Sequence, residues 1–449
     1  MFCKSNENYV VEMVVLVLNH WGYCISLVLN KIVIFAIVIN YNIHSLSNGL
    51  TLIHHLDSST NLCVTNLLYN VGARDENENK TGFAHLFEHL MFGGSVNIPS
   101  FDTPLQLASG ENNAFTNNDI TNYYITLPSE NIETALWLES DRMLRLDFSE
   151  KSLSTQKGVV IEEFKQRYLN QPYGDAWLHL RPLAYSKHPY RWATIGKEIS
   201  HVENAELSDV IRFFETFYNP SNAILCLAGN ISFEKAMELT EKWFGDIPAG
   251  QKNSNTYLAE PKQMERREQT IEADVPQKSI YLAFHMVDRI HPLYYAFDLL
   301  SDILSRSESS RFTKILVKEK GLFNNVEAYV TGDINAGLFV VEGKLTKDTS
   351  FETAELGILK ILEQMVEEGL VDSELEKVKN KALTSNLFGK TSVLNKAMSL
   401  CYGYNIGHIN LINDESSIIK AITTSDIETI CKDYLLNGNH SVLKYQPKI

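Results

Sequence analysis

The sequence has no CxxC pair. Its six cysteines (Cys3, Cys24, Cys63, Cys226, Cys401 and Cys431) are scattered along 449 residues. That spread excludes a compact disulfide framework and a thiolate zinc knot, and it fits a reducing compartment, the cytoplasm. Basic residues are in deficit, with 40 Lys and Arg against 55 Asp and Glu for a net charge of −15. Such a surface repels phosphate backbones, so no nucleic-acid partner is expected. Long Gly, Pro or Gln/Asn runs are missing, which excludes a low-complexity or disordered arm as the main feature. What remains is an ordinary globular composition, 44% hydrophobic, long enough for two or three domains with full cores.

Uninterrupted hydrophobic runs are scarce too. Residues 9–40 are strongly apolar but broken by Glu12, Asn19, His20, Asn30 and Lys31. The uncharged stretch 13–30 just reaches the ~18 residues of a minimal membrane span. The start lacks the positive n-region and cleavage site of a signal peptide. Residues 1–40 are therefore expected to be either an imperfect membrane anchor, through 9–40, or an extension outside the fold, including a non-native start.

From about residue 41 short β-type runs alternate with amphipathic helices, the pattern of a mixed α/β domain. Helices are predicted at 81–92, 129–146, 149–170, 207–218 and 233–244, and a buried strand at 222–229. The polar stretch 249–268 reads as a linker between a first domain, 41–248, and a second, 269–449. In the second, strands are predicted near 269–275 and 280–287, and helices at 292–304, 353–368 and 373–387. Segments 207–225 and 424–442 align without gaps at an offset of 217, matching Ser208 with Ser425, Asp209 with Asp426, Phe217 with Tyr434 and Asn222 with Asn439. This echo predicts an internal duplication of about half the chain.

The segment 81–94, TGFAHLFEHLMFGG, carries the chemistry. Thr81 reads as N-cap, the apolar residues fall at helical spacing, and Gly93-Gly94 stop the helix. His85 and His89 stand one turn apart on one face, where both imidazoles reach a single tetrahedral zinc ion. Glu88, beside them, is placed to take a proton from a water at the metal. The order H-x-x-E-H inverts the H-E-x-x-H zincin motif and meets the same requirement. A third ligand is expected from another helix. Glu162 and Glu163 are the candidates, and because they point about 100° apart only one of them faces the metal; spacing does not choose between them.

HLFEH, the lead-in NVGARDENENKTGFAH, GENNAFTNNDITNYY, VVIEEFKQRYLNQPYGD and RPLAYSKHPYRWATIGK follow one another in order. Together they resemble the pitrilysin/insulinase family of inverzincin metallopeptidases, most closely its short, mitochondrial-processing-peptidase-like members, over residues 43–447. The resemblance implies an α+β fold of two tandem homologous mixed α/β domains, each a mainly antiparallel sheet packed with helices, forming half of a clamshell chamber. It implies a zinc-dependent endopeptidase acting on unstructured peptides, with one zinc per chain. Glu163, 74 positions after His89, is the implied third ligand, joining His85 and His89. Gln156 stands where the family usually has a supporting glutamate; an amide still hydrogen-bonds but adds no negative charge. Asn113, Ala114 and Phe115 resemble the edge strand that pairs with the substrate backbone, although an ordinary turn before strand 123–127 would also suit them.

Arg181, Lys187, His188 and Arg191 read as a solvated basic helix and loop. The second domain has no H-x-x-E-H; His285 and His291 are six apart without an acid between them. At the spacing of the family's substrate-holding Arg and Tyr it offers Lys396 and Gly403, flanked by Tyr402 and Tyr404. The resemblance also implies a second two-domain subunit, or a second copy, as partner. The competing class is a non-catalytic peptide-binding or scaffold subunit of the same family.

Overall fold

A computed structural model of the chain describes residues 38–448, so the expectation of an anchor in 9–40 falls almost wholly outside the described residues. Ile39 belongs to the fold: it is buried, and its backbone N–H and C=O both bond the Asn413 side chain.

Eleven strands of the described residues form two sheets. The first comprises Asn42–Ser45 (β1), Thr51–Leu56 (β2), Leu62–Tyr69 (β3), Glu111–Thr116 (β4), Thr121–Pro128 (β5) and Ala223–Gly229 (β6), in the order β1-β2-β6-β3-β5-β4. The second comprises Arg267–Ala273 (β7), Ser279–His285 (β8), Phe323–Val330 (β9), Leu338–Leu345 (β10) and Ser441–Pro447 (β11), in the order β7-β11-β8-β10-β9. Setting β1 aside, the two orders are the same: first strand, fifth, second, fourth, third. In each sheet the first and fifth strands pair in parallel, β2 with β6 and β7 with β11, and the other pairs are antiparallel. The sequence echo at offset 217 falls on the helix and strand that close each half, Leu207–Phe217 with β6 and Thr424–Ile430 with β11.

Seven helices matter below: Phe83–Leu90 (α1), Glu150–Phe164 (α2), Ala176–Ala184 (α3), Tyr294–Ser305 (α4), Asp372–Gly389 (α5), Val393–Asn405 (α6) and Leu411–Ala421 (α7). α1 lies between β3 and β4 as α4 lies between β8 and β9. The halves exchange one helix each. Ala397, Leu400 and Cys401 of α6 pack on Ile53, Val64, Ile224 and Cys226 of the first sheet. Ala176, Leu180 and Ala184 of α3, at the same place in the repeat, pack on Tyr281, Ala283, Val340 and Leu443 of the second. β6 is therefore buried on both faces, with Leu225 and Leu227 in the first half's own core and Ile224 and Cys226 under α6. This double burial is why AILCLAG is an unbroken apolar run with no alternation.

Two expectations change. The predicted helix 149–170 is α-helical only to Phe164; a π turn, Lys165–Leu169, follows. The polar stretch between the halves is strapped down and includes the start of β7 at Arg267. Asp75 Oδ1 accepts hydrogen bonds from Asn253, Asn255 and Tyr257, and Glu260 accepts the backbone N–H groups of Ser186, Lys187 and His188. Its polar composition serves these bonds.

Candidate metal centre and active site

α1 turns Phe83, Leu86, Phe87 and Leu90 into the core and leaves His85, Glu88 and His89 on the opposite, partly open face. Its N-terminus is not capped by Thr81. The N-cap is Gly82, at φ +88°, where a Cβ would come within 2.8 Å of the Ile195 carbonyl oxygen. The buried Glu76 carboxyl accepts the N–H groups of Gly82 (2.9 Å) and Ala84 (2.8 Å) instead. Burial pushes its pKa up to about 8, against those hydrogen bonds. Thr81 Oγ1 meanwhile accepts from Lys197 N. A short helix capped from a distance holds its first turn fixed, and His85 lies in that turn.

α2 starts at Ser149, whose side chain accepts the Ser152 N–H, and brings Glu163 to α1. Glu163 Oε2 lies 3.6 Å from His85 Nε2 and 3.4 Å from His89 Nε2. Glu162 points outward to Lys165. All three ligand atoms lie within 4.8 Å of one another. Ligands bonded to one tetrahedral zinc at ~2.0–2.1 Å would stand ~3.3 Å apart, so the donor set fits that ion. Among the described residues no other group of three or more His, Cys, Asp or Glu converges in this way. Burial lowers the His85 pKa to about 4 despite the nearby Glu163 carboxylate, which keeps the imidazole in its neutral, ligating form.

The surroundings add residues that sequence reasoning did not select. Arg167, in the π turn, places Nη1 3.0 Å from Glu163 Oε1, so the two oxygens of that carboxylate have different company. The spacing of four between Glu163 and Arg167 was a readable signal. Thr116 Oγ1 donates to Glu88 Oε2 at 2.6 Å; no local pattern could have announced a contact between α1 and β4. Burial raises the Glu88 pKa, and the Thr116 hydrogen bond pulls it partly back. Gln156 is half-buried on α2, yet His85 Nδ1 is buried without a hydrogen-bond partner, so the amide does not reach it here.

Asn113, Ala114 and Phe115 lie in β4, an edge strand paired on one side with β5 alone. They form a strand and not a turn. The Ala114 N–H donates to Asn113 Oδ1 at 2.8 Å. Lys396 is buried and pairs with Asp57 at 2.7 Å, Tyr404 receives a hydrogen bond from Thr51, and His285 bonds the Ala184 carbonyl. None of these joins the centre. The basic loop is less solvated than expected, with His188 buried and Arg191 paired with Glu78.

Two tandem α+β halves share one topology, and among the described residues only the first brings two histidines and a carboxylate together on adjacent helices, which defines the class as a two-domain α+β protein with a candidate metal centre in one half. The chain belongs to the insulinase family, peptidase family M16. Residues 52–188 match that family and residues 204–382 match its companion, the peptidase M16 inactive domain. It is 30% identical over 343 residues to the zinc protease PqqE of Helicobacter pylori, covering 75% of this chain and 77% of that one. It is 21% identical to the human mitochondrial-processing peptidase subunit beta, covering 87% and 81%. A protease structure from Helicobacter pylori superposes with a TM-score of 0.86 at 26% identity, over 91% of this chain and all of that one. The periplasmic protease PqqL of Escherichia coli shares the fold, with a TM-score of 0.75 at 17% identity, over 92% of this chain and 48% of that one. No helix of the described residues is long and apolar enough to cross a membrane.

Proposed function

We propose that the chain is a zinc endopeptidase that cleaves unstructured peptides. The observation that carries this reading is the convergence of His85, His89 and Glu163 within 4.8 Å, with Glu88 one residue before His89 on the same helix. His85, His89 and Glu163 would hold the ion. When bound, zinc supplies Lewis acidity to the scissile carbonyl and the attacking water. Thr116 occupies Glu88 Oε2 and leaves Oε1 to take the proton from water and pass it to the departing amine. The raised Glu88 pKa brings base and acid roles closer to neutral pH. The open edge of β4 at Asn113–Phe115 pairs with the substrate main chain, and recognition through backbone hydrogen bonds tolerates varied side chains.

The functional units are 41–248, with the centre, and 269–449, without one, joined by the strap 249–268. The working assembly is a chamber closed by a second two-domain chain or a second copy. Its support is that PqqL, with the same fold, is about twice as long as this chain, and that the mitochondrial relative is named a subunit. The buried free thiols Cys63, Cys226, Cys401 and Cys431 support a cytoplasmic location.

The test is mass-spectrometric cleavage of an unstructured peptide mixture by the purified chain and its Glu88→Gln variant, with zinc content measured for both. The expected result is a loss of about 10²–10⁴-fold in turnover with zinc retained. Undiminished cleavage by the variant overturns the assignment of Glu88. Silence of both with zinc bound overturns self-sufficiency and points to the partner chain.

A further inference from the structure

The two halves touch at equivalent places of the repeat. The turn 117–120 joins β4 to β5, and the turn 331–337 joins β9 to β10; with β1 set aside, each links the third and fourth strands of its sheet. The Ile334 N–H donates to Asp119 Oδ2 at 2.9 Å, and the Asn118 side chain donates to Asp333 Oδ1. Asp119 is only 2% exposed, and its other oxygen is engaged as well: Oδ1 accepts from Arg74 Nη1 at 2.7 Å and from the Tyr190 hydroxyl. Both of these donors also hold the second half's turn. Arg74 Nη1 reaches Asn335 Oδ1 at 3.1 Å, and the Tyr190 oxygen accepts the Asn335 N–H at 3.0 Å.

What this buried cluster fixes is the end of β4. An edge strand is tied to its sheet along one side only, and β4 pairs with β5 alone. Its last residue is Thr116, whose hydroxyl donates to Glu88 at 2.6 Å. A bond so short tolerates little displacement of the strand. The turn that follows Thr116 is held from two sides. The first half contributes the Ala73 N–H to Asn117 O at 3.1 Å and the Arg74 N–H to Asn118 O at 2.9 Å; the second half contributes the Ile334 N–H to Asp119. A carboxylate desolvated to this degree stays in place only while its cation and its neutral donors all remain. The metal ligands sit on other elements, His85 and His89 on α1 and Glu163 on α2, and among the described residues none of them bonds either turn.

We propose that Asp119 is a positioning residue for cleavage, through which the turn 331–337 of the second half holds β4 where Thr116 meets Glu88; this rests on the reading above of Glu88 as the general base. The half without a metal then contributes to the chemistry by keeping the base oriented.

The experiment measures kcat on an unstructured peptide, zinc content, and hydrogen–deuterium exchange over residues 111–120 for the zinc-loaded full chain and its variants. Thr116→Val and Asp119→Asn should each lower kcat by about tenfold, the size of one hydrogen bond to a charged group, with zinc retained. The double variant should be no slower than Thr116→Val alone, because both changes act on the same bond. Tyr190→Phe keeps the ring and the Asp119 charge, and carries the test where Asp119→Asn does not fold; it should lower kcat by less than Asp119→Asn. In both variants exchange over 111–120 should quicken while that of α1 stays as it was. Tyr445→Phe breaks another bond between the halves, 2.6 Å to Asp175, which does not reach β4, and should leave kcat and exchange unchanged. Losses that multiply in the double variant overturn the proposal, because Asp119 then acts elsewhere than on the Thr116 bond. So does exchange over 111–120 that is unchanged in Tyr190→Phe, or a loss of kcat in Tyr445→Phe equal to that in Tyr190→Phe. A wild-type chain that cuts no peptide removes the endopeptidase reading instead, and the exchange over 111–120 then decides by itself whether the second half's turn anchors β4.

Discussion

The first and second halves share a strand order, a parallel pair in the same place and a helix lent to the other's sheet, yet only one brings His, His and Glu together. On α1 the polar face carries His85, Glu88 and His89; at the repeat offset of 217 the positions of the two histidines fall on Asp302 and Arg306, at the end of α4. On α2 Glu163 faces the histidines, backed by Arg167; on α5 the exposed Lys381 pairs with Asp302. Backbone topology supplies the cleft in both halves, and a handful of side chains decides whether it takes a metal. The family descriptions divide the chain at another place: insulinase covers residues 52–188, with the metal ligands, while the inactive domain covers 204–382 and so begins with the closing helix and β6 of the first half.

The largest test of the contrast is zinc stoichiometry. One zinc per chain is expected by atomic emission, falling to none in His89→Ala, because two remaining ligands do not hold the ion. Any zinc left in the variant would mean that the second half also binds metal and would break the comparison.

The exchanged helices come next. Leu180 and Leu400 are both fully buried, so Leu180→Ala and Leu400→Ala should each cost roughly 2–5 kcal/mol of stability in urea unfolding. Similar losses mean that the halves depend on each other reciprocally; a negligible loss in one would show that its helix is only resting on the neighbouring sheet.

A smaller contrast lies in pH. In the second half, Glu355 bonds Arg266 and His440, and these partners, outweighing burial, hold its pKa down to about 2. A depressed carboxyl contributes stability that is complete above its unfolded value of about 4.5 and lost as pH falls through about 2. Glu355→Gln should therefore cost about 3 kcal/mol at pH 7, the low end for a broken buried pair because Arg266 stays partly exposed. The cost should vanish towards pH 2, as urea midpoints at a series of pH values would show. In the first half Glu76 runs the other way. Its pKa, raised to about 8 by burial, makes its contribution complete below the unfolded value and lost as pH rises through 8.

The smallest expected effect sharpens the metal side. Arg167 steadies Glu163 through one ion pair from an exposed position. Arg167→Ala should weaken zinc by about tenfold, the lower bound for a residue supporting a ligand, measured by competition with a chelator. Unchanged affinity would leave Arg167 as a surface ion pair only.

Much of this was legible along the chain. HLFEH announced a helix with two ligands and a base on one face because helical periodicity is local, and the residues predicted for Phe233–Phe244 match the observed helix at both ends. The echo at offset 217 foretold the repeated topology. Helix spacing could not choose between Glu162 and Glu163, since both lie on the helix and the choice depends on which face meets α1. Thr81 was misread as the cap because a serine or threonine before an apolar run is the usual signal, whereas the actual acceptor, Glu76, sits six residues upstream of Gly82 and reaches it through a turn. Lys396 matched a spacing but is spent on Asp57, a partner 339 residues away in sequence.

By itself, then, the sequence determined the alternation of strands and helices in two halves, the duplication, the two histidines and the acid between them, because each depends on residues a few positions apart. The tertiary structure alone decided which face of α2 meets the histidines, that Thr116 attends Glu88, and that each half seats a helix on the other's sheet. Those are contacts between segments far apart in the chain, and they are selected by packing, which no local pattern records.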